Sequence, residues 1–463
     1  MQFVKEKSSF RDPGGFLFWK DDSIYRYIDY SYKKHYDFFI DSGLYDDLVK
    51  KKLIISHKEI NSFSLDNSYK IIKPTKIPFI SYPYEWSFSQ LKDTALLTLK
   101  IQTLALKFGM TLKDCSAYNV QFLDGKPVFI DTLSFEIYKE GELWLAYKQF
   151  CQHFLAPLLL MSKVDIRLNL LLRDFIDGIP LDLTSKLLPK KTYMNFSILM
   201  NIHLHAKSQK HYEDKKVNLK KYNKKFSKRS FIILLDNLKT CIKKLKWKSG
   251  NTEWADYYSG DSYTSLGFEN KKELVSKFLD YISPKVVWDL GANDGCFSRL
   301  ASKKGAFVLS SDIDVSCIEN NYLNVKKNNE KNIFPIFLDL TNPSPDIGWN
   351  NNERLSLKKR GKPDVILALA LIHHLCISNN LPFSYVAQYF SSISDSLIIE
   401  FVPKEDKKVQ TLLFTRKDIF VDYNQSCFEE EFNKYFDIKE KYLIKDSKRT
   451  LYFMFKKTLK REI

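Results

Sequence analysis

The chain has 463 residues, 44% of them hydrophobic and 15% aromatic, with only 15 glycines and 15 prolines. That composition excludes a mainly disordered polypeptide and predicts two or three domains of ~150 residues, each able to bury a substantial core. The formal net charge of +17 is unevenly spread, with +4 on residues 1–205, +12 on 206–250 and +1 on 251–463, so no whole domain has the surface of a polyanion binder.

Residues 1–205 read as an α+β domain. Phe16-Leu-Phe-Trp-Lys-Asp-Asp-Ser-Ile-Tyr-Arg-Tyr predicts an opening hairpin, Pro78-Phe-Ile-Ser-Tyr a strand, and about Leu91 to Phe108 a helix. Tyr82-Pro-Tyr-Glu-Trp86-Ser-Phe-Ser-Gln90 mixes aromatic and polar groups and is read as core packing, with a sugar contact as the alternative. Asp114-Cys-Ser-Ala-Tyr-Asn119 is followed by two apolar runs around an Asp124-Gly125 turn, ending at Asp131, which predicts a hairpin. The Asp, the Asn five residues later and the closing Asp resemble the arrangement of protein kinases and small-molecule kinases. The resemblance implies that Asp114 orients a hydroxyl while Asn119 and Asp131 hold Mg2+ on ATP. This chain departs from that pattern: no His-Arg precedes Asp114, Thr132-Leu replaces Phe-Gly, and no lysine is assignable to the phosphates. A plain α+β domain whose Asp and Asn cap turns is an equal reading.

Residues 206–250 form a Lys-rich connector with doublets at Lys215-Lys216, Lys220-Lys221, Lys224-Lys225 and Lys228-Arg229. A solvated linker is one reading; a cationic face that binds nucleic acid such as RNA, anionic lipid headgroups or a polyanionic substrate is the other.

Residues 251–463 alternate helices with short apolar strands, which predicts a doubly wound parallel α/β sheet. Leu274, Val275, Phe278, Leu279 and Ile282 mark a helix, preceded by an aromatic cluster, Glu253-Trp-Ala-Asp-Tyr-Tyr258 and Tyr263, read as packing or a lid. Strands follow at Val286–Leu290, Ala306–Ser310, Ile333–Leu338 and Asp364–Leu371, with helices from Phe297 and over about Ser316 to Lys326. The first strand runs into Asp289-Leu-Gly291-Ala-Asn293-Asp-Gly295, a glycine turn opening a helix, while Asp312 and Asp339 end the next two strands. His373 and His374 follow the fourth strand and Glu400 ends the fifth. Each is a candidate base or orienting group, or else a packing residue.

These motifs, with Phe436 to Ile444 and Thr450 to Phe455 as a closing reversed hairpin, resemble class I S-adenosylmethionine-dependent methyltransferases with a Rossmann-like seven-stranded sheet. The resemblance implies Asp289 and Gly291 near the methionine moiety, Asn293 and Gly295 in the same cofactor-binding turn, Asp312 on the ribose and Asp339 near the adenine, with no metal in this domain. Asn293 stands where many members have Gly. The phrases Tyr82 to Gln90, Phe150-Cys-Gln-His-Phe and Ile202-His-Leu-His resemble bacterial methyltransferases related to a rhizobial nodulation protein, which implies a small-molecule, glycan or glycolipid hydroxyl as acceptor. The alternatives are a bifunctional protein with an N-terminal kinase-like phosphotransferase, and an RNA methyltransferase that uses the basic connector. Apolar runs such as Phe154–Met161 fall short of the ~20 residues of a transmembrane segment, and the seven cysteines show no C-x-x-C pair; both predict a cytoplasmic protein without a disulfide framework.

Overall fold

The computed structural model describes residues 3–207, 227–248, 263–414 and 416–457. They divide into two compact units, Met1–Lys248 with Asp346–Arg354, and Ser249–Pro345 with Leu355–Ile463.

In the first unit, β1 (Val4–Lys5), β2 (Gly15–Lys20), β3 (Ser23–Asp29), β4 (His57–Glu59) and β5 (Ser68–Pro74) form an antiparallel sheet of order β1-β2-β3-β5-β4. The predicted opening hairpin is β2–β3, turned by Asp21 and Asp22 at positive φ. Helices α1 (Lys33–Asp41) and α2 (Leu44–Lys50) lie between β3 and β4 in the chain. The long helix α3 (Phe88–Lys107) starts where Ser87 and Gln90 bond each other's backbone N–H groups in a capping box. Two short ribbons follow: β6 (Met110–Leu112) pairs with β9 (Phe135–Ile137), and β7 (Val120–Leu123) with β8 (Lys126–Phe129) through the predicted Asp124-Gly125 turn.

Three expectations for this half are corrected. Residues 78–82 are not a strand, because the Gln121 side-chain amide serves their backbone instead: it accepts from Ser81 N–H and donates to Ser81 C=O, both at 2.9 Å. Lys228 to Lys244, expected within the connector, is a helix (α4) packed on α3. Its Phe231, Leu235, Leu238 and Ile242 recur at helical spacing and are buried. Asp346–Arg354, expected within the methyltransferase domain, belongs to the first unit: Arg11 grips the buried Glu353 carboxylate at 2.5 and 3.0 Å, and the Arg354 guanidinium covers the Tyr118 ring at 4.1 Å. The lysine doublets at 215–225 and the aromatic segment 253–258 lie outside the described residues.

In the second unit, α5 (Ser265–Ile282) leads into β10 (Val286–Leu290), then α6 (Cys296–Lys303), β11 (Phe307–Asp312), α7 (Val315–Asn328), β12 (Ile333–Phe337), β13 (Val365–Ala368), α8 (Phe383–Ile393), β14 (Ser396–Phe401), β15 (Phe436–Leu443) and β16 (Thr450–Lys456). The sheet order is β12-β11-β10-β13-β14-β16-β15, parallel through β14, with β16 running antiparallel between β14 and β15. This is the reversed-hairpin sheet of class I methyltransferases, as the strand pattern predicted. Strands buried on both faces explain the runs of Val, Ile and Leu; polar residues appear where the strands reach their carboxyl ends, at Asp289, Ser310, Ser311 and Asp312.

A buried ion cluster ties α5, β14 and the closing hairpin together. Glu400 lies 2.6 Å from Lys271 Nζ and 3.5 Å from Arg449 Nη1, accepts from the Tyr263 hydroxyl, and takes the Ala370 N–H at 2.9 Å. Arg449 also forks onto Asp406 at 2.7 and 3.0 Å, so two cations face two carboxylates with little water around them. Removing one partner strands the others' charge in a low dielectric. Glu400→Ala is expected to lower stability by about 3–5 kcal/mol in urea unfolding; a loss below ~1 kcal/mol, the value of a surface pair, would show that the cluster is not what holds these elements together.

Candidate functional site

The loops leaving β10 to β13 at their carboxyl ends enclose a cavity of about 400 Å³. The turn after β10 has positive φ at Gly291, Asn293 and Gly295. An asparagine tolerates that left-handed backbone better than most residues, which accounts for Asn293 where a glycine is the common choice. Asn293 N–H donates to Asp312 Oδ2 at 2.8 Å, and Asp314 N–H to its other oxygen at 2.9 Å, so the carboxylate ending β11 pins the glycine turn. Burial pushes the Asp312 carboxyl up to about 6.

Asp289, Gly291, Asn293, Asp312 and Asp339 all line this one cavity. Asp289 is buried, accepts from the Ser298 hydroxyl at 2.6 Å, and is pushed up to about 7 by burial. Asp339 accepts from Thr341 N–H and Oγ1 at 2.8 and 2.7 Å, a local turn that sets its position on the rim. Gly295, grouped with these in sequence, does not line the cavity. A Cβ there would meet Arg299 Nη1 and Asn321 at 2.7 Å, so this glycine serves the close packing at the start of α6.

The three candidate bases part company. His374 lines the cavity, at the start of the π-wound turn His374–Ser378 that follows β13, and burial lowers its imidazole to about 4, so it is neutral at neutral pH. His373 is wholly buried away from the cavity, with neither ring nitrogen hydrogen-bonded, and burial drives it well below the usual histidine range. Glu400 does not line the cavity either; its oxygens are occupied by the ion cluster, and the cations hold it ionised below the usual glutamate range. Both are fully buried and outside the cavity lining, which corrects their reading as candidate bases.

Of the charged residues lining the cavity, Lys271 escaped the sequence reading. Lys271, on α5, is buried between Glu400, the Tyr263 hydroxyl at 3.0 Å and the Phe297 ring at 4.8 Å. The available signal was its place four residues before Val275, a lysine on the apolar stripe of an otherwise amphipathic helix.

In the first unit, Asp114, Asn119 and Asp131 do come together. Asn119 bonds the Asp114 carboxyl and donates to Ser134 Oγ at 3.2 Å, and that hydroxyl donates to Asp131. Burial, then the nearby Asp131 charge, raises Asp114, and Arg26 of β3 pairs with Asp131. Tyr82, Tyr84, Glu85 and Trp86 are buried, Trp86 donating its indole N–H to Ser81 Oγ at 2.9 Å, so this segment is core and presents no sugar-binding face. His153 is buried, and His203 lies between Ser185 and Thr192 hydroxyls at 2.7 and 2.9 Å. Among the described residues no helix is long and apolar enough to cross a membrane.

No family model matches the chain. Among solved structures, it is similar to magnesium protoporphyrin IX methyltransferase ChlM from Synechocystis, at 14% identity over 44% of this chain and 94% of that one, with a TM-score of 0.32. It is also similar to a putative O-methyltransferase from Nostoc punctiforme, at 15% identity over 44% of this chain and 60% of that one, TM-score 0.33. A third likeness is to the bifunctional kinase-methyltransferase WbdD, at 15% identity over 43% and 42%, TM-score 0.29. In sequence it is 35% identical over 452 residues to nodulation protein NoeA of Rhizobium meliloti, covering 96% of this chain and 94% of that protein. On that match the chain belongs to the NoeA family of nodulation proteins.

Proposed function

We propose that the second unit binds S-adenosylmethionine in the cavity above β10 to β13 and transfers its methyl group to a hydroxyl of a glycan or glycolipid. The observation that carries this reading is the convergence of Asp289, Asp312 and Asp339, each at or just beyond the carboxyl end of a parallel strand, on one cavity beside the glycine turn. The residues fit the cofactor's parts. Asp312 offers paired carboxylate oxygens to two ribose hydroxyls; Asp339 stands on the adenine side; Asp289 suits the methionine ammonium and Lys271 its carboxylate. When bound, the cofactor supplies a methyl group activated on a sulfonium sulfur.

The remaining chemistry is alignment of the acceptor oxygen and removal of its proton. His374, neutral and on the cavity wall, takes that role in this reading. The acceptor class rests on the sequence resemblance alone. RNA is the less favoured acceptor: the unit that carries the cavity is close to neutral, and the charge lies elsewhere in the chain.

A kinase-like first unit is the second reading, favoured by the sheet order β1-β2-β3-β5-β4, by the two ribbons after α3 and by the Asp114–Asn119–Asp131 cluster. The Arg26–Asp131 ion pair competes with magnesium for the carboxylate that such an activity needs. Magnesium-dependent ATP binding by the full-length protein, lost in Asp131→Asn, is its expected signature; no ATP binding with or without magnesium ends it.

Calorimetry tests the main reading. Asp312→Ala is expected to weaken S-adenosylmethionine binding about 10- to 100-fold. Lys271→Met should weaken S-adenosylhomocysteine by about tenfold or more, yet leave 5′-methylthioadenosine, which has no carboxylate, unchanged. No cofactor binding by wild type would sink the reading as a whole, whereas equal losses for both ligands would sink only the Lys271 assignment. Because the bound ligand's ribose hydroxyls and ammonium favour the ionised carboxylates, and Asp312 and Asp289 titrate near 6 and 7, affinity should rise from pH 5 to 8, with proton release near pH 6.5. Once an acceptor is in hand, His374→Ala should cut turnover about 100-fold at unchanged cofactor affinity; full turnover removes it from the mechanism.

A further inference from the structure

We propose that an apolar, lysine-rimmed face of the first unit docks on the surface of an anionic lipid bilayer. The face is built from three segments. A helix over 196–207 turns Ile198, Asn201 and Ile202 inward and leaves Phe196, Met200 and Leu204 on the outer side at i, i+4 and i+8. Phe196 is 69% exposed and Met194, just before it, 91%.

Side-chain hydrogen bonds hold the neighbouring segments against this helix. Asn201 donates to Asn237 Oδ1 on α4 at 3.0 Å, and Asn237 donates back to Ser197 Oγ at 3.0 Å. One turn earlier on α4, Ile233 is 61% exposed. Tyr147 donates its hydroxyl to Asn201 Oδ1 at 2.7 Å and stacks on His205, which brings in the preceding loop with Leu143 and Leu145, the latter 72% exposed. Large apolar side chains this exposed on three adjoining segments make a patch beyond the scattered hydrophobics of an ordinary surface.

The charge around the patch selects its partner. Lys186, Lys190, Lys191 and Lys207 are exposed, with no acidic residue between Asp182 and Lys207; α4 and the residues after it carry Arg229, Lys239, Lys243, Lys244, Lys246 and Lys248 against Asp236, and in the loop before Leu143 Glu142 is paired with Lys139 while Glu140 accepts from the Lys228 N–H, so the rim as a whole stays cationic. A second copy of the chain would bring lysine against lysine, whereas anionic headgroups neutralise the rim while Met, Leu, Ile and Phe enter the acyl boundary. RNA would neutralise the rim too, but Met194, Met200, Leu204 and Ile233 have no ring face to stack on a base.

Flotation of the full-length protein with phosphatidylcholine vesicles, with and without roughly one-third phosphatidylglycerol, tests the proposal. Binding is expected to be about tenfold or more stronger on the anionic vesicles and to fall about tenfold in Phe196→Glu/Met200→Glu and separately in Lys190→Gln/Lys191→Gln. All these side chains are exposed, so melting temperature and cofactor binding should stay at wild-type values; were the glutamate pair to unfold, the glutamine pair still decides. Equal binding to both vesicles, no binding by wild type, or unchanged binding in the variants overturns the proposal. So does sedimentation showing a wild-type dimer that the glutamate pair dissolves, which would make a second copy the occupant.

Discussion

The buried carboxylate of Glu400 is the point on which the second unit is assembled. It accepts from groups that come from four places: Lys271 on α5, Tyr263 just before that helix, Arg449 in the turn of the closing hairpin just before β16, and the Ala370 backbone after β13. Ala370 has a positive φ, a conformation that costs an alanine ~1 kcal/mol or more, and the Glu400 bond holds it there at the edge of the cavity. A carboxylate in that position is stable only with both cations present, and each cation is stable only with its carboxylates. The cluster therefore specifies one arrangement of helix, sheet and hairpin more than it adds net stability.

The cavity inherits its character from this support. Lys271 is presented to it as a cation because Glu400 holds the ammonium from behind, opposing the burial that lowers its pKa. Burial raises Asp289 and Asp312 toward neutrality; Lys271 opposes the rise at Asp289, and backbone N–H groups oppose it at Asp312, only in part. A ligand with an ammonium, a carboxylate and vicinal hydroxyls supplies what each group lacks, and this complementarity is a stronger argument for the cofactor than the glycine turn alone.

The first unit shows a different economy. Its aromatic and histidine-bearing phrases, conspicuous in the sequence, are consumed by packing: Trp86 and Tyr84 in the core, His203 between two hydroxyls. Its acidic residues do gather, yet Arg26 on β3 answers Asp131. What reaches the surface is less conspicuous in sequence, a set of Met, Leu, Ile and Phe side chains among lysines.

Local signals were legible in the chain: Val286 to Gly295 as strand, turn and helix start, Asp312 and Asp339 at strand ends, the Asp124-Gly125 hairpin, and the alternation that demands a parallel sheet. Each depends on residues within a few positions of one another, where backbone geometry links spacing to structure. The adjacent His373 and His374 could not be told apart that way, because a single step of the chain buries one and leaves the other on the cavity wall. Lys271, Arg449 and Glu400 meet only after the sheet has closed, and Asp346–Arg354 joins the first unit although its chain neighbours lie in the second. The sequence by itself determined the α/β class of the second unit and put Asp289, Asp312 and Asp339 near its strand ends, since strand and turn positions follow from local patterning. The tertiary structure alone decided which charges are buried together and which histidine can reach a ligand, since these depend on desolvation by elements distant in the chain.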